Sequence, residues 1–185
     1  KTEMLEVNRI YSAAGLIQSA AELHTLPPVR APHHTATART VLGGGTPPVP
    51  GEISLAHRGI LLLDEMPLFR RSVLEAIGTP LEHGVIRHNY GAVAAEFPSR
   101  FSLIGTANPC PCGWLGDETK ECRCTPADIM RYRRRLSGPL LDRIDIVLEV
   151  GRPAAADIEP GTETGESIEA VRNRIAAARQ MQRER

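Results

Sequence analysis

Apolar residues between Met4 and Ala14 recur at helical spacing, with Met4, Val7, Ile10, Tyr11 and Ala14 on one face. This predicts an amphipathic helix with Thr2 as N-cap and Gly15 as stop. From Leu26 to Pro50 the pattern breaks into Pro, Gly, Thr and His and reads as loop or short hairpin. Gly59 to Leu63 is a short apolar run suited to a buried central parallel strand. Helical spacing returns over Leu68 to Leu81, with Val73, Leu74 and Ile77 inward and Pro80 disturbing the end. Val85-Ile86 and Val93 to Phe97 flank a polar stretch, Arg87 to Gly91, and predict a hairpin. Phe101 to Ala107 reads as a second buried strand and Asp145 to Val150 as a third. Between these two strands Thr125-Pro126 opens a helix, with Thr as N-cap and Pro at its first position. Residues 151–166 resemble a linker, and Ser167 onward is a polar helix with Ile168, Val171 and Ile175 on one face. No internal repeat is visible.

The 185 residues suffice for one α/β domain and a small appendage, and 42% hydrophobic content supports a sizeable core. Lys and Arg total 22, as do Asp and Glu, so any attraction to nucleic acid must be local. Aromatic residues, at 4%, argue against a broad base-stacking surface. No apolar run approaches the roughly 18 residues of a membrane span, so no membrane partner is expected. The start at Lys1 does not read as a signal peptide, and a cytoplasmic location is expected. A first residue other than Met, and a last helix without a C-cap, predict a fragment of a longer chain.

Leu61-Leu62-Leu63-Asp64-Glu65 carries the strongest chemical signal. A strand ending in two acids places them at the C-terminal edge of a sheet, where open α/β sheets bind ligands. In nucleotide hydrolysis Asp64 would hold Mg²⁺ and Glu65 would orient the attacking water. Asn108, after the second strand, either bonds that water or the γ-phosphate, or starts a turn with Pro109. Arg143 either reaches a neighbouring subunit's phosphate or pairs with Asp142 or Asp145.

The four cysteines, Cys110, Cys112, Cys122 and Cys124, form two Cys-x-Cys pairs nine residues apart. Four thiolates so close suit a structural zinc; disulfides or free thiols are the alternatives. On the hairpin, Arg87, His88, Asn89 and Tyr90 either contact DNA or form a solvated turn. The arginines Arg131, Arg133, Arg134 and Arg135 either bind phosphate or form a solvated or interface face. His33 and His34, as strand neighbours, would point to opposite faces and order a loop or interface rather than share one ion.

Together these stretches resemble AAA+ ATPases of the magnesium-chelatase-like group, closest to the competence-associated ComM/YifB type. The resemblance rests on Arg30 to Thr35, Pro50 to His57, Gly59 to Pro67, Asn108 to Gly113 and Leu136 to Asp145. It implies a P-loop NTPase core with a parallel sheet, β-hairpin inserts and a partial helical lid. Residues 1–150 would be the ATPase core with a Cys-rich knuckle at 108–126, and residues 167–185 the start of the lid. It further implies ATP and Mg²⁺ as cofactors, a ring, hexameric by expectation, Asp64-Glu65 as Walker B, Asn108 as sensor 1 and Arg143 as the arginine finger. Action on DNA, as a branch-migration motor, follows from the same resemblance. The hairpin corresponds to the pre-sensor hairpin of related ring helicases, whose tips face the pore. Glu52 and His57 flank the helix-2 insert of the family, and no chemical role follows for them.

The family's Gly-x-x-Gly-x-Gly-Lys-Thr phosphate loop is not in this sequence and is expected upstream of Lys1. Gly43-Gly44-Gly45-Thr46 does not replace it, because no Lys follows and Pro47 and Pro48 deny it a helix. The chain alone is therefore expected to be inactive. A chelatase-type motor subunit and a non-catalytic zinc-containing interaction module are the alternative readings; the cysteine knuckle favours the ComM/YifB branch over metal insertion.

Overall fold

The computed structural model describes residues 2–90, 93–136, 138–151 and 165–184, without the side chains of Tyr90 and Val93. The chain divides into two compact units, Lys1–Val147 and Leu148–Arg185. In the first, α1 (Thr2–Ala13) forms where its apolar spacing predicts and buries Val7, Ile10 and Tyr11. They pack on Leu55, with Met4 and Ala14 beside them. Thr2 is the first helical residue rather than a cap.

Residues 26–50 hold more structure than the broken pattern suggests. β1 (Val29–Arg30) joins the main sheet, and α2 (Ala38–Leu42) leads into a small hairpin, β2 (Gly43–Gly44) with β3 (Val49–Pro50). Two residues of strand are too few to show a period, which is why β1 escapes sequence reading. Thr37 caps α2, accepting the Thr40 N–H at 3.1 Å. The short helix α3 (Glu52–Leu55) follows.

β4 (Ile60–Leu63) is central, as predicted, in a parallel sheet of order β1-β4-β7, where β7 is Ser102–Gly105. Leu61 and Leu63 are fully buried, while Ile60 and Leu62 on the other face are half-buried. β7 departs from expectation. It is an edge strand paired only with β4, and Ile104 is 47% exposed. Among the described residues nothing covers its outer side, so an apolar sequence does not become a buried strand.

The crossover from β4 to β7 runs through α4 (Arg71–His83) and the hairpin β5 (Val85–Tyr90) with β6 (Val93–Pro98). Val73, Leu74 and Ile77 face inward and join Leu61, Leu63, Met66 and Phe69 in the core. Leu68 belongs to a preceding 3₁₀ turn, Met66–Leu68, so the helix starts later than predicted. It passes Pro80, as the spacing predicts, and ends at His83, two residues later than expected; Gly84 caps it, its left-handed backbone (φ 67°) sending its N–H to the Pro80 carbonyl at 2.9 Å. Proline costs a helix its own N–H donor, but its carbonyl still serves the cap.

α5 (Pro126–Arg133) begins as predicted, with Thr125 and Asp128 closing a capping box. α6 (Gly138–Leu141) inserts Leu140 into the core. The third strand expected over Asp145 to Val150 does not form. Ile146 and Val147 are 74% and 75% exposed, and the segment pairs with no strand among the described residues. In the second unit, α7 (Ile168–Arg183) is capped by Ser167, which accepts the Ala170 N–H at 3.2 Å. Its apolar stripe is there, with Ile168 and Ile175 exposed. Most of the expected linker, residues 152–164, lies outside the described residues. The architecture is α/β with a parallel sheet, of the P-loop AAA+ type.

Candidate functional site

β4 and β7 run parallel with Leu63 opposite Gly105, so the residues after each strand emerge side by side. A Cβ at Gly105 would sit 1.9 Å from the Met66 sulfur, so a larger residue there must displace that side chain. The Thr106 N–H donates to the Leu63 carbonyl at 3.1 Å, and the Met66 N–H to the Thr106 carbonyl at 2.8 Å. This backbone lacing delivers Asp64 and Glu65 beside Thr106 and Asn108.

Thr106 organises the pair of acids. Its hydroxyl donates to Asp64 Oδ1 at 2.7 Å and accepts the Glu65 N–H at 2.9 Å. Glu65 adopts a left-handed backbone, φ 53° and ψ 51°, which is rare for a residue with a side chain and concentrates at functional sites. The turn aims Glu65 toward β7, where the Asn108 amide donates to Glu65 Oε1 over 3.4 Å. Asp64 and Asn108 are exposed and Glu65 half-buried, so the three can meet a ligand. Sequence reasoning missed Thr106; its signal is a hydroxyl residue directly after an edge-forming strand and two before Asn108.

Asn108 is held by its backbone. Its N–H donates to the Tyr132 hydroxyl at 3.2 Å, and Arg135, in the turn after α5, donates to the Pro67 carbonyl at 3.0 Å. α5 thereby braces the segments that follow both strands. Burial pushes the Tyr132 phenol up; the Asn108 N–H works against this, and the Glu65 charge adds to it. Tyr132 therefore stays neutral. It was not among the predicted site residues, and only its apolar ring within an arginine-rich stretch marks it.

The cysteines gather as predicted, their sulfurs all within 4.8 Å of one another. Cys110 to Cys112 is 3.4 Å, Cys110 to Cys122 is 3.7 Å and Cys112 to Cys122 is 3.6 Å. A disulfide needs about 2.05 Å, so the thiols are free. Zinc–thiolate bonds of about 2.3 Å place tetrahedral sulfurs about 3.8 Å apart, so the donor set fits such an ion. The Trp114 and Arg123 N–H groups hold the Cys112 thiol down at about 6. Partial burial, then hydrogen bonding to Cys112, pushes Cys124 up to about 12.

Arg143 is not brought to the acidic pair. It lies against Gly78 of α4, pairs with Glu82 at 2.7 Å, and donates to the Pro139 carbonyl. Neither Asp142 nor Asp145 is its partner. With Ser102 and Leu103 in the same cleft, it sits near the N-terminal ends of the strands, away from Asp64.

The hairpin residues correct their expectation. Arg87, His88 and Asn89 lie in β5, opposite Glu96, Ala95 and Ala94, not in the turn. Arg87 is paired with Glu96 at 2.5 Å, and His88 Nε2 lies 3.1 Å from the Leu42 carbonyl, tying the two hairpins together. Cross-strand pairing carried the strands further than the polar sequence suggests. The Tyr90 side chain and residues 91–92 lie outside the described residues. Arg131 pairs with Asp128 at 3.5 Å, while Arg133 and Arg134 flank a groove with Met130 and Leu136.

His33 and His34 sit in a loop, not a strand, so the opposite-faces argument does not apply. Their rings lie 4.0 Å apart, His33 Nδ1 is 2.8 Å from the Thr35 hydroxyl, and His34 meets Phe69 edge-on. The Glu52 carboxylate accepts from Arg30 Nε at 2.6 Å and Nη2 at 2.8 Å. His57 is buried between Glu6, 3.1 Å from Nε2, and the Arg100 N–H, which donates to Nδ1 at 3.1 Å. Both are structural links.

Among known proteins, the family model for magnesium chelatase, subunit ChlI, matches residues 1–158. An uncharacterized protein of Mycobacterium tuberculosis is 43% identical over 180 residues, covering 97% of this chain and 35% of its own length. The uncharacterized protein YifB of Escherichia coli is 43% identical over 155 residues, 84% of this chain and 30% of its own. The competence protein ComM of Haemophilus influenzae is 41% identical over 184 residues, 98% of this chain and 36% of its own. The chain thus spans about a third of the length of these relatives. Its fold, its acidic strand end and these matches agree: the chain belongs to the magnesium-chelatase family of AAA+ proteins, in the ComM/YifB branch.

Proposed function

We propose that this chain is the Walker B, sensor and arginine-finger part of an ATP-hydrolysing AAA+ motor that acts on DNA. The observation that carries the reading is the laced edge of β4 and β7, where Asp64, Glu65, Thr106 and Asn108 converge at the C-terminal ends of parallel strands. Asp64 would hold Mg²⁺ bound with ATP, which neutralises charge on the phosphates. Glu65, turned toward Asn108, orients the attacking water and accepts its proton. Asn108 contacts that water or the γ-phosphate. Arg143 lies far from the acidic pair of its own chain, which suits a finger that serves the next subunit of a ring, a hexamer by family expectation. The four-cysteine centre would hold a structural zinc ion. The DNA assignment draws on the competence protein ComM among the relatives, with the β5–β6 hairpin as the contacting element.

The test is the ATPase rate of the full-length protein that contains this chain, with and without branched DNA, beside Glu65→Gln. Hydrolysis stimulated by DNA and lost in the variant supports the motor reading. Hydrolysis indifferent to DNA favours a chelatase-type motor, and no hydrolysis favours a binding module.

A further inference from the structure

Asn108 poses a positional problem. Its side chain is exposed and makes one long contact, 3.4 Å to Glu65. Among the described residues nothing else around the side chain fixes it, yet a residue that contacts a reacting water needs sub-ångström placement. What fixes it must act through the backbone, and two backbone restraints are at hand. One is the Tyr132 hydroxyl, 3.2 Å from the Asn108 nitrogen. The other is Cys110, two residues on and fully buried.

These restraints form one circuit. The chain leaves β7 at Gly105, passes Thr106 and Asn108, and enters the four-cysteine centre at Cys110 and Cys112. It loops out and returns at Cys122 and Cys124. Thr125 then caps α5 by a reciprocal capping box, and α5 delivers Tyr132 back to Asn108. The circuit is covalent along the chain and closed across Asn108 by two clasps, the sulfur cluster and the Tyr132 hydroxyl, while Arg135, bonded to the Pro67 carbonyl, and Leu136, packed on the core, anchor the far end of α5. Without the sulfur clasp, over 20 residues of chain separate Asn108 from Tyr132, and the entropy of closing so long a loop weighs against the single Asn108–Tyr132 bond. With the sulfurs joined, the outer loop is removed from that cost, and α5 stands at a set distance from β7.

We propose that the four-cysteine centre, closed by zinc, and Tyr132 are the positioning device for Asn108. The role rests on the reading of Asn108 as the residue that contacts water or γ-phosphate. Tyr132 is a positioning residue; it acts on the reaction only through Asn108. Its hydroxyl oxygen accepts the Asn108 N–H at 3.2 Å, and burial keeps the phenol neutral. Loss of the metal would loosen Asn108 while leaving Asp64, Glu65 and Thr106, laced through β4 and β7, in place.

The test is carried out on this 185-residue chain and, for turnover, on the full-length protein containing it. Elemental analysis of the purified chain should find one zinc per chain, lost in Cys112→Ser with Cys124→Ser. Amide hydrogen exchange should show the Asn108 N–H protected in the zinc form and about tenfold faster after chelation, with the Thr106 and Met66 amides unchanged. Because the cysteine variant could unfold locally, Tyr132→Phe provides the second arm. It should keep its zinc and still release the Asn108 amide. In the full-length protein Tyr132→Phe should lower kcat with little change in KM. No bound zinc, or unchanged Asn108 exchange after its removal, overturns the proposal. A zinc-dependent Asn108 amide in a full-length protein that hydrolyses no ATP upholds the positioning device and defeats the motor reading instead.

Discussion

The edge of β4 and β7 and the hairpin β5–β6 both carry residues that sequence marks for function, and they treat them oppositely. At the strand edge, groups more than 40 positions apart are cross-bonded, and their carboxylate and amide ends stay open to a ligand. On the hairpin, the cation marked for phosphate is consumed locally: Arg87 faces Glu96 one strand away, and His88 turns back to the Leu42 carbonyl. Parallel strands force distant residues together at one end, while an antiparallel pair lets each residue find a partner across the ladder. A charged residue is a better site candidate where topology converges than where a local partner is in reach.

The largest expected effect that sharpens this contrast is Glu65→Gln. In the full-length protein it should lower ATPase turnover by about 100-fold or more, measured as steady-state phosphate release, with DNA binding kept. Thr106→Val is next. It keeps the shape and removes the hydroxyl shared by Asp64 and the Glu65 N–H. Turnover should fall about tenfold, the worth of one net hydrogen bond, and the urea midpoint should barely move. A large loss of stability with normal turnover would show that the lacing is structural only.

Acid tests the junction between the two regions. His57 receives the Arg100 N–H, where the chain leaves β6 for β7. Burial lowers the His57 pKa, against the pull of Glu6 and with that of Arg58. The unfolded chain therefore binds a proton before the fold does, and His57 contributes stability at neutral pH that declines below about 6.5. Glu6, lowered by its hydrogen bonds from Arg58 and His57, adds a loss as the pH falls below its ordinary value of 4.5. The melting temperature should fall between pH 7.5 and 5.5, as read by circular dichroism. His57→Gln should flatten that stretch.

The smallest effect belongs to the hairpin. The Arg87–Glu96 pair is exposed, so Arg87→Ala should change stability by less than about 1 kcal/mol. Glu96→Gln frees the guanidinium and should tighten binding to a single-stranded oligonucleotide at low salt, with Arg87→Ala cancelling the gain. If neither variant alters binding, the contact with DNA lies elsewhere.

Much of the site could be read from the chain alone. The apolar run ending in Asp64-Glu65, the paired cysteines and the Thr125-Pro126 helix start are all where the sequence implies, because each depends on neighbours within a few residues. Burial periodicity, capping and turn chemistry are short-range, and a single sequence carries them. What the tertiary structure alone decided depends on which segments meet. It made Val29–Arg30 a strand and β7 an edge, and left Asp145 to Val150 unpaired. It also brought Thr106 between Asp64 and Glu65, Tyr132 under Asn108, and Arg143 to Glu82 rather than to its acidic sequence neighbours. A hydrogen bond's partner is set by distance in space, and over dozens of residues that distance is fixed only when strands pair and helices pack against them.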